Sequence, residues 1–388
     1  MKKYHQLVLL IVSAISLSLF LVYRHEYNRL HYVLEVFNFF GQPCNFSELQ
    51  KADFVVEQHD WGPQPIWQEV DNSYVYSAFL RGTKDVKAIA ISNDAKSVPR
   101  NCFLWFEDKK KPSPGKFKFS KMATDAAYNF FCSGSNPEST PFAVSFGNRP
   151  GRESDLKKIL LTDTSTSELR KNVTVCVSPS TFTKKKFIEF ISFHKVIGVD
   201  SFIFYESDIP HRLSKLIKNL SQRLEVQVAF LPWNYPKRDA SSARTIVESD
   251  CLLRTSRQSK YVITLEMNEY LLPKQSLQSL FDEVPNGILK LALPVKKICV
   301  NNLTPDKPIT LQNYEAISDS SYNVVRNLFR NDNDSLVDLG VVQGQASIHK
   351  YVRCNSLLSK TITDYSMNKF STDLTRSTLV QLLLQGQL

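Results

Sequence analysis

The stretch from Val173 to Leu265 constrains this chain most, because strand-like and helix-like runs alternate along it with short links between them. Val173 to Val177 reads as a strand, and Lys184 to Ile197 as a helix whose Phe187, Phe190, Ile191 and His194 recur at spacings of three and four. Gly198 then supplies a left-handed stop. Phe202 to Tyr205 is the second strand. Pro210 opens a helix that runs to about Gln222, and Leu224 to Phe230 is the third strand. Ser241 to Arg257 is helical, with Ala243, Ile246, Val247 and Cys251 on one stripe, and Tyr261 to Leu265 is the fourth strand. Such alternation predicts an α/β fold built on a Rossmann-like, mostly parallel sheet flanked by helices. No G-x-G-x-x-G loop accompanies it, which excludes a dinucleotide dehydrogenase.

Tyr261 to Leu265 contains no glycine or proline and has the pattern of a strand buried on both faces. Three oxygen-bearing side chains follow at once: Glu266, Asn268 and Glu269. They stand at the carboxyl end of a strand, where open α/β sheets bind ligands; the competing reading is a solvated acidic turn. Asp250 and Arg254 lie four apart on one helix face, either a surface ion pair or part of a site. Past Pro273, Leu277 to Val284 reads as a helix, Ile288 to Leu293 as a strand, and Leu374 to Leu384 as a packing helix ended by Gly386.

Residues 71–165 carry short β-like runs: Tyr74 to Leu80, Val86 to Ile91, Phe103 to Phe106 and Phe142 to Phe146. Turn material such as Arg81-Gly82-Thr83 and Lys111-Pro112-Ser113-Pro114-Gly115 separates them, which predicts a β-rich accessory module ahead of the alternating domain at 170–388. Residues 24–70 have little periodicity and read as a stem. Leu7 to Tyr23 is free of charge, and as a helix it spans roughly 26 Å, suited to the thinner membranes of the early secretory pathway. It ends in Leu21-Val22-Tyr23-Arg24 rather than in the small residues of a cleavage site, so an uncleaved transmembrane signal anchor is expected, with residues 1–6 cytosolic and the rest lumenal.

Acceptor sequons at Asn45, Asn172, Asn219, Asn302 and Asn333 suit a lumenal chain. The 7 cysteines include no C-x-x-C pair, which argues against zinc and for disulfides in an oxidising compartment, with the connectivity left open. The formal net charge of +10 is dispersed, with runs only at Lys109–Lys111 and Lys184–Lys186. No nucleic-acid motif accompanies it, so nucleic acid is not an expected partner.

Asp250-Cys251-Leu252-Leu253-Arg254, followed by Tyr261 through Tyr270 and Pro273, resembles the pattern of glycosyltransferase family 92. In that family a D-C-L-x-R helix precedes an apolar strand ending in an aspartate-x-aspartate-glutamate box. Glu189 to Tyr205, with His194, Gly198 and Val199, is similar to the family's helix-turn-strand, and the similarity runs from about Tyr74 to about Arg353. The resemblance implies a GT-A nucleotide-sugar fold, a UDP-sugar donor (galactose in the best-known members), a glycan acceptor, Mn²⁺ or Mg²⁺, inversion at the anomeric carbon, and work in the Golgi.

It further implies that Glu266, Asn268 and Glu269 hold the cation. His349, in front of Lys350-Tyr351-Val352-Arg353, is the substitute for a late histidine ligand, and the face bearing Asp250 and Arg254 approaches the nucleotide. Topology alone puts Ser178 and Tyr205, at the ends of the first two strands, beside the uridine. The catalytic base of an inverting enzyme falls among Asp282, Glu283, Glu315 and Asp319, which nothing ranks. One departure matters: Glu266 and Asn268 replace the two aspartates of the box, and the amide of Asn268 is a poorer partner for a hard cation. A second expectation follows from it, a chain that keeps the family fold, has lost the metal site and binds a partner or glycan instead.

Overall fold

The computed structural model describes residues 16–18, 67–124, 126–134, 139–148, 156–162, 171–180, 182–205, 209–236, 242–282, 290–301, 303–304, 307–317, 324–331, 346–354 and 361–386. Outside them lie the anchor at 7–23 apart from 16–18, the stem apart from 67–70, Glu283, Asp319, Cys44, and the sequons at Asn45, Asn302 and Asn333. Residues 16–18 are helical, and among the described residues no helix is long and apolar enough to cross a membrane. The chain divides into two compact units, Met1–His59 and Asp60–Leu388, and the second carries the architecture described below.

Eight strands come first: β1 (Gln68–Val70), β2 (Ser73–Arg81), β3 (Asp85–Ser92), β4 (Asn101–Trp105), β5 (Ser113–Lys121), β6 (Ala127–Ser133), β7 (Ala143–Gly147) and β8 (Ile159–Thr162). They pair in the order β1-β2-β3-β6-β5-β4-β7-β8, and β8 returns to β2 through Ala78↔Leu161 and Phe79↔Thr162. Strands β2 to β8 therefore close into a barrel, with β1 paired to the Ser73–Val75 end of β2. Its interior holds Val75, Val86, Leu104, Phe130, Val144 and Phe146, and the Cys102–Cys132 disulfide crosses from β4 to β6 over β5. A Cβ at Gly115 on β5 would meet Cys132 Sγ at 2.4 Å and Cys102 Sγ at 2.9 Å. The run Ser113-Pro114-Gly115, expected as turn material, is thus strand, and its glycine is there to make room for sulfur.

The remainder comprises β9 (Lys171–Val177), α1 (Lys184–Val196), β10 (Ser201–Tyr205), α2 (His211–Leu224), β11 (Gln227–Leu231), α3 (Ala243–Thr255), β12 (Ser259–Leu265), β13 (Glu269–Pro273), α4 (Leu277–Asp282), β14 (Lys290–Cys299), β15 (Glu315–Ile317), β16 (Val325–Arg330), β17 (Ala346–Val352), β18 (Thr361–Thr363), α5 (Ser371–Arg376) and α6 (Thr378–Leu384). Thr183 caps α1 by accepting from the Lys186 N–H, and Gly198 follows it at φ 103°.

Successive residues of β9 to β12 enter different cores, which explains their near-continuous apolar sequence. Val173, Val175, Phe202, Phe204 and Ile263 pack with Phe187 and Phe190 of α1. Cys176, Ile203, Tyr205 and Val262 face Ile246 and Val247 of α3 together with Tyr76, Phe79, Ile89 and Ile91 of the barrel. Each such side chain contributes roughly 1.5–3 kcal/mol of burial. The Cys176–Cys251 disulfide joins β9 to α3, and Cys299–Cys354 joins the end of β14 to the segment after β17.

The fold class differs from the expected Rossmann-like, mostly parallel sheet flanked by helices, and with it from the GT-A arrangement. Strands β11-β10-β9-β12 do pair in parallel. Beyond β12 the pairings β12–β16, β16–β14, β14–β15, β15–β18 and β13–β17 are antiparallel, and only β14–β17 is parallel. The second sheet is mixed, and the part before it is a closed barrel. The physical reason is that after Leu265 the chain reverses in a tight turn, Glu269 N–H donating to the Glu266 carbonyl at 2.9 Å, instead of entering a crossover helix. The expected helix from Leu374 to Leu384 is likewise two pieces, broken at Ser377, whose ψ is 138°.

Replacing Gly115 by alanine forces its methyl against the Cys102–Cys132 bridge. The expected loss is about 1–3 kcal/mol of unfolding free energy in a denaturant titration; an unchanged midpoint removes the disulfide from its place over β5.

Candidate functional site

The turn leaving β12 gathers charges from four elements. Glu269, at the start of β13, has no exposed surface, and its two carboxylate oxygens share the Arg326 Nε–H at 3.1 and 3.0 Å while Arg326 Nη2 donates a further bond. Lys350 Nζ lies 3.2 Å from Glu269 Oε1 and 2.7 Å from Glu266 Oε2. Arg244 Nη1 stands 3.4 Å from both Glu266 Oε1 and Glu269 Oε2, and its Nη2 donates to the Thr264 carbonyl. Arg244 opens α3, Arg326 lies on β16 and Lys350 on β17, where it pairs directly with Glu269.

Burial alone would push the Glu269 carboxyl up, but the hydrogen bonds of Arg326 and the charges of Arg244, Arg326 and Lys350 outweigh it and hold it at about 2. Desolvation lowers Arg244 against the pull of Glu269, whereas in Arg326 the bonds to Glu269 win and raise it. Neighbouring Glu248 is raised, by burial first, with Arg244 and Asn327 opposing. Exposure is graded: the side chains of Glu266, Arg244 and Lys350 are 29%, 26% and 21% accessible, Arg326 10% and Glu269 0%.

The four residues expected to hold a divalent cation do not assemble for one. Glu269 has both oxygens committed to cationic side chains. Asn268 turns its Nδ2 to the Tyr351 carbonyl at 3.1 Å, which leaves its Oδ1 buried with no hydrogen-bond partner. His349 pairs with Tyr270, one residue out of step with the Lys350–Glu269 pair, and so lies on the opposite face of the strands. Neither of its ring nitrogens has a hydrogen-bond partner, and Asp364 Oδ2 is 3.6 Å from Nε2. Among the described residues no three His, Cys, Asp or Glu side chains form a group fit for a metal. The residues present do not fit Mn²⁺ or Mg²⁺.

Asp250 and Arg254 are together but elsewhere. They sit between barrel and sheet, Arg254 Nε and Nη2 donating to Asp250 at 2.9 and 3.0 Å, while Ser77 Oγ and Tyr205 Oη donate to its two oxygens at 2.5 and 2.6 Å. Asp250 and Tyr205 have no exposed surface, and the Arg254 guanidinium stacks 5.3 Å from the Phe79 ring centroid. Burial lowers and Asp250 raises Arg254, with Asp250 prevailing; burial, with Asp250 adding, pushes the Tyr205 hydroxyl well above its usual value. Ser178 is buried too and binds the Leu265 carbonyl through both N–H and hydroxyl, at 2.8 and 3.2 Å, fixing β9 to the end of β12. Asp282 is exposed at the end of α4, where it accepts from Gln278 at 2.8 Å, and Glu315 accepts from Asn301 at 2.7 Å. Sequence reasoning missed Arg244 and Arg326; the signal available was that a carboxylate box behind a buried strand requires counter-charges.

The chain matches glycosyltransferase family 92 over residues 171–375, more than half of its length and beginning at the first residue of β9. It belongs to that family and is thus a glycosyltransferase by membership, a class that joins a sugar from a donor to a glycan acceptor. No curated protein matches it. Among solved structures, HddC from Yersinia pseudotuberculosis is similar at 11% identity and TM-score 0.26, over 52% of this chain and 97% of that one. A UDP-glucose pyrophosphorylase from Acinetobacter baumanii is similar at 7% identity and TM-score 0.23, over 56% of this chain and 99% of that one. TM-scores this low do not establish a shared fold, and the assignment rests on the family match.

Two expectations follow. Asp250→Ala strands the Arg254 charge and should cost about 3–5 kcal/mol of unfolding free energy while UDP affinity in calorimetry stays unchanged; a selective loss of UDP affinity returns the pair to the nucleotide. Burial also holds His194 at about 3, against its bond to the Phe190 carbonyl, and His349 at about 4, with Asp364 opposing and Lys296 adding. Both folded values lie below the ordinary 6.5, so their contribution is whole above pH 6.5 and is lost as pH falls from there toward 4 and 3. The two protons give a slope approaching about 2.5 kcal/mol per pH unit near pH 5. Glu189 and Glu248, raised by burial, act in the opposite sense and are untouched by His349→Gln, which should remove about half of the histidine slope in unfolding titrations from pH 7 to 5.

Proposed function

We propose that this chain transfers a hexosyl group, galactose by the family resemblance, from a UDP-sugar to a hydroxyl of a glycan acceptor with inversion, releasing UDP and a proton. The observation that carries this reading is the cationic cluster at the exit of β12, inside the segment that matches the family. A leaving diphosphate gathers negative charge on the oxygen that parts from the sugar. One cation 4 Å away is worth about 4 kcal/mol at an effective dielectric of 20, and its loss slows the step by orders of magnitude. Arg244 and Lys350 are accessible enough to meet such a charge.

We place the protein in the Golgi lumen as a type II chain, on the uncharged run at 7–23 and on two further supports. Three disulfides suit an oxidising compartment, and the sequons at Asn172 and Asn219 are exposed. The second reading, a member that binds glycan or partner without turnover, is favoured by one observation: the residues of the box do not assemble for a cation.

Full-length protein incubated with UDP-galactose, UDP-glucose and UDP-N-acetylglucosamine in turn, together with a galactose-terminated oligosaccharide, should release UDP fastest from UDP-galactose. Release from another donor changes the sugar; release from none, with the oligosaccharide still bound, selects the non-catalytic reading.

A further inference from the structure

We infer that the diphosphate of the donor is met by this chain's own Arg244 and Lys350 in place of the divalent cation that the box implies; the inference rests on the UDP-sugar reading above. Glu269 and Arg326 form the inner layer. With no exposed surface on the carboxylate and the Arg326 side chain only 10% accessible, they position the others. Arg244, Lys350 and Glu266 form the outer layer, each between a fifth and a third exposed.

The outer layer is incompletely satisfied. Arg244 Nη1 reaches its two carboxylates only at 3.4 Å, while its Nη2 is pinned to the Thr264 carbonyl, so the guanidinium is held in place with one edge weakly used. Lys350 has its shortest bond to the partly exposed Glu266, at 2.7 Å. Phosphoryl oxygens that displace the Glu266 carboxylate gain both cations at once, in the geometry in which guanidinium and ammonium bind phosphate.

The local charge favours the same occupant. Arg244, Arg326 and Lys350 face Glu266 and Glu269, so three cations and two carboxylates leave one net positive charge. A divalent cation entering there is repelled, and an anionic diphosphate is attracted. In the transfer, the bond from the anomeric carbon to the β-phosphate oxygen breaks with its electron pair going to that oxygen, beside Arg244 and Lys350. The acceptor hydroxyl oxygen bonds the anomeric carbon, and its proton passes to water.

The test is calorimetric titration of the full-length chain with UDP, in excess EDTA and in Mn²⁺. Affinity should agree within about twofold between the two conditions, and Arg244→Gln and Lys350→Gln should each weaken it at least about tenfold. Should either variant shift its unfolding midpoint, Glu266→Gln decides: freed of their competitor, the two cations should hold UDP several-fold more tightly in EDTA, whereas a metal ligand would lose UDP on the same change. Binding that appears only with Mn²⁺, or that Glu266→Gln abolishes, overturns the inference and leaves the donor reading standing. No binding of UDP or UDP-galactose in either condition overturns the donor reading and the inference with it.

Discussion

A carboxylate cut off from water at the end of a strand sets the terms for everything around it. Removing Glu269 from solvent costs several kcal/mol unless cations answer it, and the answer comes from three places distant in the chain: the first turn of α3, β16 and β17. The mixed pairing of the second sheet is what brings them together. β16 lies antiparallel beside β12, and β17 runs antiparallel to β13 with Lys350 opposite Glu269. A purely parallel continuation after β12 would deliver neither Arg326 nor Lys350 to that face. The departure from the expected architecture and the chemistry of the site have one cause.

The same economy governs the seam between barrel and sheet. Asp250 receives Ser77 from β2, Tyr205 from β10 and Arg254 from its own helix, so one carboxylate ties three elements together. Cys251, the next residue, is bonded to Cys176 of β9. Residues Asp250 to Arg254 form a structural rivet: the acid and base neutralise each other out of water and Cys251 fixes the helix to the sheet. Glu189 does a similar task for α1, accepting from Ile309 and Thr310.

Four strands of the second sheet were legible because both their faces are buried, which writes β9 to β12 as apolar runs that helical periods punctuate. The barrel's closure was not legible. Ser113-Pro114-Gly115 has the composition of a turn, and only the sulfur bridge above β5 explains a glycine in mid-strand. At the site, the acidic box could be read because its residues are contiguous. Arg244 and Arg326 could not, since they stand 22 residues before Glu266 and 57 after Glu269 and belong to no local pattern. His349 shows what register withholds: a shift of one residue along β17 separates the face that Lys350 shares with Glu269 from the face toward Asp364.

The ring made by β8 returning to β2 has a further effect. Among the described residues, every strand of the ring from β2 to β8 has a partner on both sides, and the free edge of this part is that of β1, of three residues. In the mixed sheet, the outermost members of the strand path are β11, of five residues, and β18, of three. β13, of five residues, likewise has β17 as its one partner, and edges that brief among the described residues make poor templates for intermolecular growth.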